Sequence, residues 1–401
     1  MRQGVSGFQA ARLVQARIGR GLTQSALSIL IDRSSAAISR WENGDQLPES
    51  DALESLERQL NVPASWFLKP MPNYGDKPFF FRSKAKISNT ARSVARARIE
   101  LTNEISTALQ EWVEWPAVNV PFLDATDYLK ITEQDIEKLA KDLRKHWKLG
   151  SGPISDITLL LENAGVVIAK EETGYTHMDG LSKWFDNDHR PYIFLAIDKA
   201  NSVRQRFDIA HELAHLVLHR HLSDMEFNAR YKLVEQQANL FAGAFLLPSD
   251  SFSSELSAPS LDTFIALKPR WKASIVAMVY RTKQLGLISE DNALRLWKNY
   301  SARGWRLGEP GDDRVPFEEV RLMPRAINLL LSDGGFSPQR LITEIGLFRT
   351  DIERLCGVQA GYLLEATNNV VKMKLRPIEA TTALQDSAIS NVIQFDIHRK
   401  N

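Results

Sequence analysis

"RQRFDIAHELAHLVLHRH", residues 204 to 221, gathers four histidines and one internal glutamate in a single segment of helical rhythm. Its apolar positions, Phe207, Ala210, Leu213, Ala214, Val217 and Leu218, follow the three-and-four spacing of one helix face. Just upstream, Ser202 with Gln205 three residues later predicts a capping box that starts this helix. His211 and His215 are four residues apart, which sets both imidazoles on one face, roughly 6 Å apart along the axis. Two neutral ring nitrogens presented this way can grip one zinc ion. Glu212 flanks the first of them, where a carboxylate reaches a water beside the ion rather than the ion itself. That is the mechanical content of an HExxH motif.

A catalytic zinc takes a third protein ligand and keeps one position open. His219 continues the series, but three histidines over eight residues of straight helix span about 12 Å and cannot converge on one ion. His221 has the metzincin spacing, yet that pattern needs a glycine where Leu218 stands. Both are therefore expected at the solvent-facing end of the helix. Glu235 remains, at the start of "EQQANLFAGAFLLP", whose Ala238, Phe241, Ala242 and Phe245 would pack beneath the first helix. A glutamate at a helix start also serves as a cap or dipole partner, so spacing alone leaves its role open. With Cys356 the only cysteine, no intramolecular disulfide forms and a zinc site must use histidine and carboxylate.

Upstream the pattern reads as helices over residues 132 to 147 and 156 to 164, a strand from Val166 to Lys170, then strands in "LSKWF" and "RPYIFLAID". This order predicts an α+β domain whose sheet lies beside the histidine helix. Exposed edges of the last two strands are expected to receive a substrate segment as an added strand.

"RQRFDIAHELAHLVLH" followed by "EQQANLFAGAFLLP" resembles the ImmA/IrrE family of zinc peptidases. The likeness extends through "GPISDITLLLENAGVVI", "DGLSKWF" and "LKPRWKASIVAMVYRTKQLGLIS", covering roughly residues 75 to 300. The resemblance implies that His211, His215 and Glu235 are Zn2+ ligands and that Glu212 is the general base of an endopeptidase. It further implies an Xre-type repressor as substrate, with self-cleavage an option. An oxyanion-steadying residue is also expected, with Tyr231 and His177 as candidates.

From Phe8 to Leu68, short helical periods suit a bundle of about five helices. Within it, Thr23 is expected to cap one helix and Ser34 a second that runs to Asn43 and stops at Gly44, with Asp32 and Arg33 in the turn. Ile38 and Trp41 face inward, while Ser35, Ala36, Ser39 and Arg40 point away. Small hydroxyls and one arginine at the outward start of a short helix suit the major groove of double-stranded DNA. The stretch "RLVQARIGRGLTQSALSILIDRSSAAISRWENGDQLPESDALESLERQLNVP" resembles the Xre/Cro helix-turn-helix family. That implies an operator contact through Gln24, Ser34, Ser35, Ala36, Ser39 and Arg40, and dimerisation. The sequence departs from the family where a turn glycine is usual, but Asp32 tolerates such backbone angles.

"KPFFFRSKAKISNTARSVARAR", residues 77 to 98, holds seven Lys or Arg and no acidic residue. It either extends the DNA footprint through phosphates or forms a solvated or partner-docking face. A helix is predicted from about Ser88 to Trp115. After the Gly/Pro-rich "SARGWRLGEPGDDRVP", residues 317 to 370 read as a second helical domain, in which "SPQRLITEIGLFRTDIERLCGV" has a faint helix-turn-helix look; no pattern marks the tail from Pro377.

The expected layout is a multidomain chain, mainly α with an α+β zinc-peptidase core. Residues 1–72 form an all-α helix-turn-helix bundle, 73–123 a basic connector and helix, 124–300 the peptidase domain, and 301–401 a C-terminal helical domain and tail. A hydrophobic share of 44% and a charged share of 25% exclude wholesale disorder. No run approaches the roughly 18 to 20 apolar residues of a membrane span, and the first residues lack a signal-peptide core, so a cytoplasmic protein is expected. A net charge of +1 confines any basic surface to a local patch. Two functions follow. One is a DNA-binding regulator that cleaves a repressor or antitoxin-type protein. The other is a toxin-antitoxin or phage-defence regulator whose peptidase fold senses without cutting.

Overall fold

The computed structural model describes residues 4–82, 87–122, 128–175, 178–198 and 201–364. It is mainly helical around a small mixed sheet, with a helix-turn-helix bundle at the N-terminal end and further helices at the C-terminal end. Helices α1 (Ala10–Gly19), α2 (Gln24–Leu30), α3 (Ser35–Asn43) and α4 (Ser50–Leu60), with a 3-10 turn at Ala64–Leu68, make the bundle. The expected caps are present: Thr23 Oγ1 accepts from Ala26 N at 3.0 Å and Ser34 Oγ from Ala37 N at 3.2 Å. Gly44 ends α3 at φ 79° and Asp32 takes φ 52° in the turn, so an aspartate does adopt the left-handed conformation usually given to glycine. Leu27, Ile38, Trp41 and Leu56 fill the interior of the bundle.

Next comes β1 (Phe80–Phe81), which the sequence did not announce, and then α5 (Asn89–Gln110), capped by Ser88. Helices α6 (Glu133–His146) and α7 (Ile157–Asn163) lead into β2 (Val167–Glu171), β3 (Gly180–Trp184) and β4 (Pro191–Ala196), close to their expected bounds. The sheet order is β1-β3-β4-β2, with β2 and β4 parallel and the other pairs antiparallel. Helices α8 (Ser202–Leu218), α9 (Asp224–Ala229) and α10 (Tyr231–Leu246) follow. They are succeeded by α11 (Ser249–Glu255), α12 (Leu261–Trp271), α13 (Ile275–Gln284) and α14 (Glu290–Ala302), and finally by α15 (Leu322–Ser332), α16 (Pro338–Ile345) and α17 (Arg349–Cys356).

The sheet is buried on both faces, and alternation along its strands decides what each face meets. Val167, Ala169, Tyr192 and Phe194 join α5, the N-terminal bundle and α15–α17 in one apolar cluster. Their neighbours Ile168, Ile193 and Leu195 join α8, α10, α12 and α13 in another. The DNA-type bundle and the histidine helix therefore lie on opposite sides of one sheet. The same alternation runs through β1: Phe79 and Phe81 belong to the first cluster, while Phe80 turns to the other side among Tyr128, Leu222, Phe227 and Val234.

Two polar seams cross the expected domain bounds. Asp351 of α17 accepts from Arg20 Nη1 at 2.9 Å and from Arg98 Nη1 at 2.8 Å, and Arg98 also pairs with Glu171 at 2.7 Å. Burial would raise the Asp351 carboxyl, but the hydrogen bonds and charge of Arg20 and Arg98 hold it below the usual carboxylate range. Farther on, the Gly/Pro-rich break after α14 is pinned down. Glu309 accepts from Ile275 N at 2.8 Å, Val276 N at 3.1 Å and the buried Lys268 Nζ at 2.8 Å. The faint helix-turn-helix pattern near residue 345 becomes α16 and α17, the second of which buries Ile352, Leu355 and Cys356. The tail from Pro377 lies outside the described residues.

Candidate metal centre

Helix α8 runs under the sheet with nearly every side chain buried. Its start differs from expectation. Asn201 is the cap, its Oδ1 accepting from Arg204 N at 2.9 Å, while Ser202 Oγ donates to Val315 O at 2.6 Å instead of closing a box with Gln205. The hydroxyl is drawn away by a tertiary partner that spacing could not announce. Trp184 Nε1 donates to Leu216 O at 3.1 Å and fastens the helix to β3.

His211 and His215 meet as the four-residue spacing requires, with their Nε2 atoms 3.1 Å apart. Glu235 Oε1 lies 3.6 Å from the first and 3.4 Å from the second. Helix α10 begins at Tyr231, four residues before Glu235, so this glutamate sits in the second turn and is not a cap. One donor atom from each residue falls within 4.8 Å of the others, a grouping that can hold a metal ion. Glu235 Oε1 is buried with no hydrogen-bond partner, a costly state for an anionic oxygen unless a cation faces it. Burial pushes His211 down to about 4, which leaves its imidazole neutral and able to give a lone pair. Two imidazoles and one carboxylate form a donor set suited to zinc. The residues present fit the ion.

Glu212 is fully buried and points toward β3, where Ser182 Oγ donates to its Oε2 at 2.6 Å. Its Oε1 has no partner. Burial pushes this carboxyl up to about 8, against the Ser182 hydrogen bond.

His219 departs from the sequence reading. It is 0% exposed, not solvent-facing, because α10 and β1 cover the end of α8. Its Nδ1 lies 3.0 Å from His215 Nδ1 and its Nε2 3.0 Å from Gln237 Oε1, while Gln237 Nε2 donates to Tyr128 O at 2.9 Å. Burial drives the His219 pKa well below its ordinary value. His221 is exposed as expected. On the other ligand, His211 Nδ1 meets Asn239 Oδ1 at 3.1 Å. Phe80 stacks on His215 with ring centroids 4.9 Å apart.

A cleft of about 1880 Å³ opens beside Glu235 and Asn239, with Arg82, Arg204 and Tyr231 along it and Trp297 on the far wall. Tyr231 thus stands near the ligands; His177 lies outside the described residues. The edges expected to receive a substrate strand are taken. β3 is flanked by β1 and β4, and β4 by β3 and β2.

At the other functional candidate, Ser34, Ser35, Ala36 and Arg40 are exposed on α3, whereas Ser39 is half-buried. Gln24 is half-buried too, its Nε2 donating to Glu42 Oε2 at 2.8 Å. Among its described residues, the basic connector does not continue this face as one stripe. Arg82 pairs with Asp208 near the metal ligands, and Arg98 is buried between Glu171 and Asp351. Arg96 pairs with Glu100 and lies over the Phe79 ring.

Residues 161–283 match the family model described as the IrrE N-terminal-like domain of the M78 peptidases. Residues 13–67 match a helix-turn-helix family model. No curated protein matches the chain. The first span contains β2–β4, α8 and α10, hence all three donors, and the second contains α2 and α3 whole. A DNA-binding helix-turn-helix and a metallopeptidase-type domain are thus joined in one chain. Among the described residues, no helix is long and apolar enough to cross a membrane.

Proposed function

We propose that this protein is a cytoplasmic DNA-binding regulator with zinc-dependent endopeptidase activity, and that it cuts a repressor or antitoxin-type regulatory protein, or itself. The observation that carries the reading is the convergence of His211, His215 and Glu235 with Glu212 beside them and outside the ligand set. A site that only binds a metal needs the three donors but gains nothing from a buried second carboxyl held at one oxygen by Ser182.

Zinc held by His211, His215 and Glu235 supplies Lewis-acid polarisation of a peptide carbonyl and makes water acidic enough to react near neutral pH. The remaining steps belong to the chain. Ser182 occupies Glu212 Oε2, which leaves Oε1 as the oxygen that takes the proton from the attacking water. The same carboxyl then delivers that proton to the leaving nitrogen as the C–N bond breaks. The cleft that opens at Glu235 gives a polypeptide room to lie beside the site. On the opposite side of the sheet, Ser34, Ser35, Ala36, Ser39, Arg40 and Gln24 would contact operator DNA, in a dimer as Xre-type domains imply.

One observation favours a second reading, a toxin-antitoxin or phage-defence sensor that does not cut. β1 fills the outer edge of β3 opposite Ser182, where a substrate strand would otherwise pair beside Glu212. Incubating zinc-loaded wild type and Glu212→Gln with proteins encoded by neighbouring genes separates the two. Cleavage by wild type alone supports the peptidase; cleavage that survives in Glu212→Gln removes Glu212 from its role, and cleavage by neither supports the sensor.

A further inference from the structure

The hydrogen-bond chain behind His215 has a direction that can be worked out from its far end. The Tyr128 carbonyl can only accept, so the Gln237 atom 2.9 Å from it must be the amide nitrogen. That orients Gln237 Oε1 toward His219 Nε2 at 3.0 Å, and an amide oxygen can only accept. His219 must therefore carry its hydrogen on Nε2. Neither partner of His219 is an anion, and a buried imidazolium without an anionic partner is costly, so His219 carries a single hydrogen and its Nδ1 is bare. Only one hydrogen fits in the 3.0 Å between the two Nδ1 atoms, and it has to come from His215.

We propose that His219, oriented by Gln237 and the Tyr128 carbonyl, is a positioning residue that fixes His215 in its Nδ1–H tautomer. His215 Nε2 is then left as a bare lone pair facing His211 Nε2 and Glu235 Oε1. The inference rests on the reading of those three atoms as a metal site. In the opposite tautomer a hydrogen would stand on Nε2, and the ligand would have to shed or move it before binding. His219 is thus excluded as a ligand by distance along the helix and acts through the ligand one turn earlier.

The test uses the full chain and reads zinc affinity by competition with a chromophoric chelator. His219→Phe fills the space and removes the acceptor. His219→Asn keeps it, because Asn Oδ1 is as many bonds from Cα as His Nδ1. Loss of the acceptor should weaken zinc binding by roughly 10- to 100-fold in His219→Phe, while His219→Asn stays within roughly threefold of wild type. Unchanged affinity in His219→Phe, or an equal loss in both variants at similar melting temperatures, would overturn the proposal. An arm independent of the His219 variants is nitrogen NMR of 15N-histidine-labelled, metal-free protein, with the His215 signals identified by their absence in His215→Gln. A hydrogen on His215 Nδ1 is expected; a hydrogen on Nε2 overturns the assignment even if His219→Phe fails to fold. A wild type that shows Nδ1–H and takes up no zinc would sink the metal reading and leave the tautomer standing.

Discussion

Phe80 lies flat against the imidazole of His215, ring centroids 4.9 Å apart and planes within 4° of parallel. The segment that joins the N-terminal bundle to the sheet thereby forms one wall of the metal site. Phe227 packs edge-on against the Phe80 ring at 5.1 Å and holds it there, so the ligand's orientation depends on Phe80, an aromatic group more than a hundred residues away in sequence. Truncating Phe80 to alanine opens a void in a buried cluster, a change that costs about 3 to 5 kcal/mol. Both denaturant stability and zinc affinity should fall. A Phe80→Ala protein equal to wild type in both would show that this wall is dispensable.

Ser182 is expected to matter for turnover and not for metal uptake. Ser182→Ala frees Glu212 Oε2, and the carboxyl can then rotate away from the position that presents Oε1. Cleavage should slow, by less than the roughly 10² to 10⁴-fold expected when Glu212→Gln removes proton transfer altogether. Zinc content measured by elemental analysis should remain that of wild type in both. Loss of zinc from Ser182→Ala would move this serine into the binding apparatus.

Zinc should stabilise the folded chain, because the donors come from α8 and α10 and are together only when both are packed. Free zinc at a thousandfold excess over its Kd adds about 4 kcal/mol. The melting temperature of wild type should rise with zinc, and that of His211→Ala should not. A wild-type melting curve indifferent to zinc and to chelators would count against the site.

Acid should loosen the seam between α17, α1 and α5 through Asp351. Its carboxyl is held below the ordinary value, so its contribution is complete above the unfolded-state pKa of about 4 and is lost as pH falls through the lower folded value. Asp351→Asn should be destabilised at neutral pH, since Arg20 and Arg98 lose a shared anion, and its stability should fall less steeply below about pH 4. Urea midpoints across the acid range would show this. Parallel slopes for variant and wild type would assign the acid sensitivity elsewhere.

For DNA, the exposed start of α3 carries the expectation. Arg40→Ala should weaken binding to DNA sequences selected by the wild-type protein, by about 1 to 3 kcal/mol if Arg40 reads a guanine. A smaller salt slope with unchanged sequence preference would mark a phosphate contact. Arg98→Met should leave the salt slope alone, because Arg98 is enclosed between Glu171 and Asp351. Equal binding by Arg40→Ala and wild type would displace α3 as the reading helix.

Legibility in the sequence followed the distance between partners. Thr23, Ser34, Gly44 and the pair His211 and His215 have partners within a helical turn, so residue type and spacing reveal them. Glu235 is legible as the remaining candidate whose role spacing leaves open and the family resemblance supplies, since a helix register says which face a residue takes and not what lies opposite. Ser182 against Glu212, Phe80 against His215 and Gln237 against Tyr128 are brought together by strand order and helix crossing, which leave no periodic trace. His219 shows the limit most clearly. Spacing argues against it as a ligand, but could not show that α10 and β1 would cover it. Ser202 makes no cap for a similar reason, because Val315, from far along the chain, takes its hydroxyl.

The triplet Phe79-Phe80-Phe81 alternates between the two sides of the sheet, with only Phe80 turned to the metal side. Parity therefore governs what length changes the link can bear. One residue added just before Phe80 with the β1 pairing kept would send Phe80 to the bundle side and offer His215 a different neighbour. Two residues added would restore the alternation. The passage from bundle to sheet should tolerate changes of even length far better than odd ones, whatever residues are used to make them.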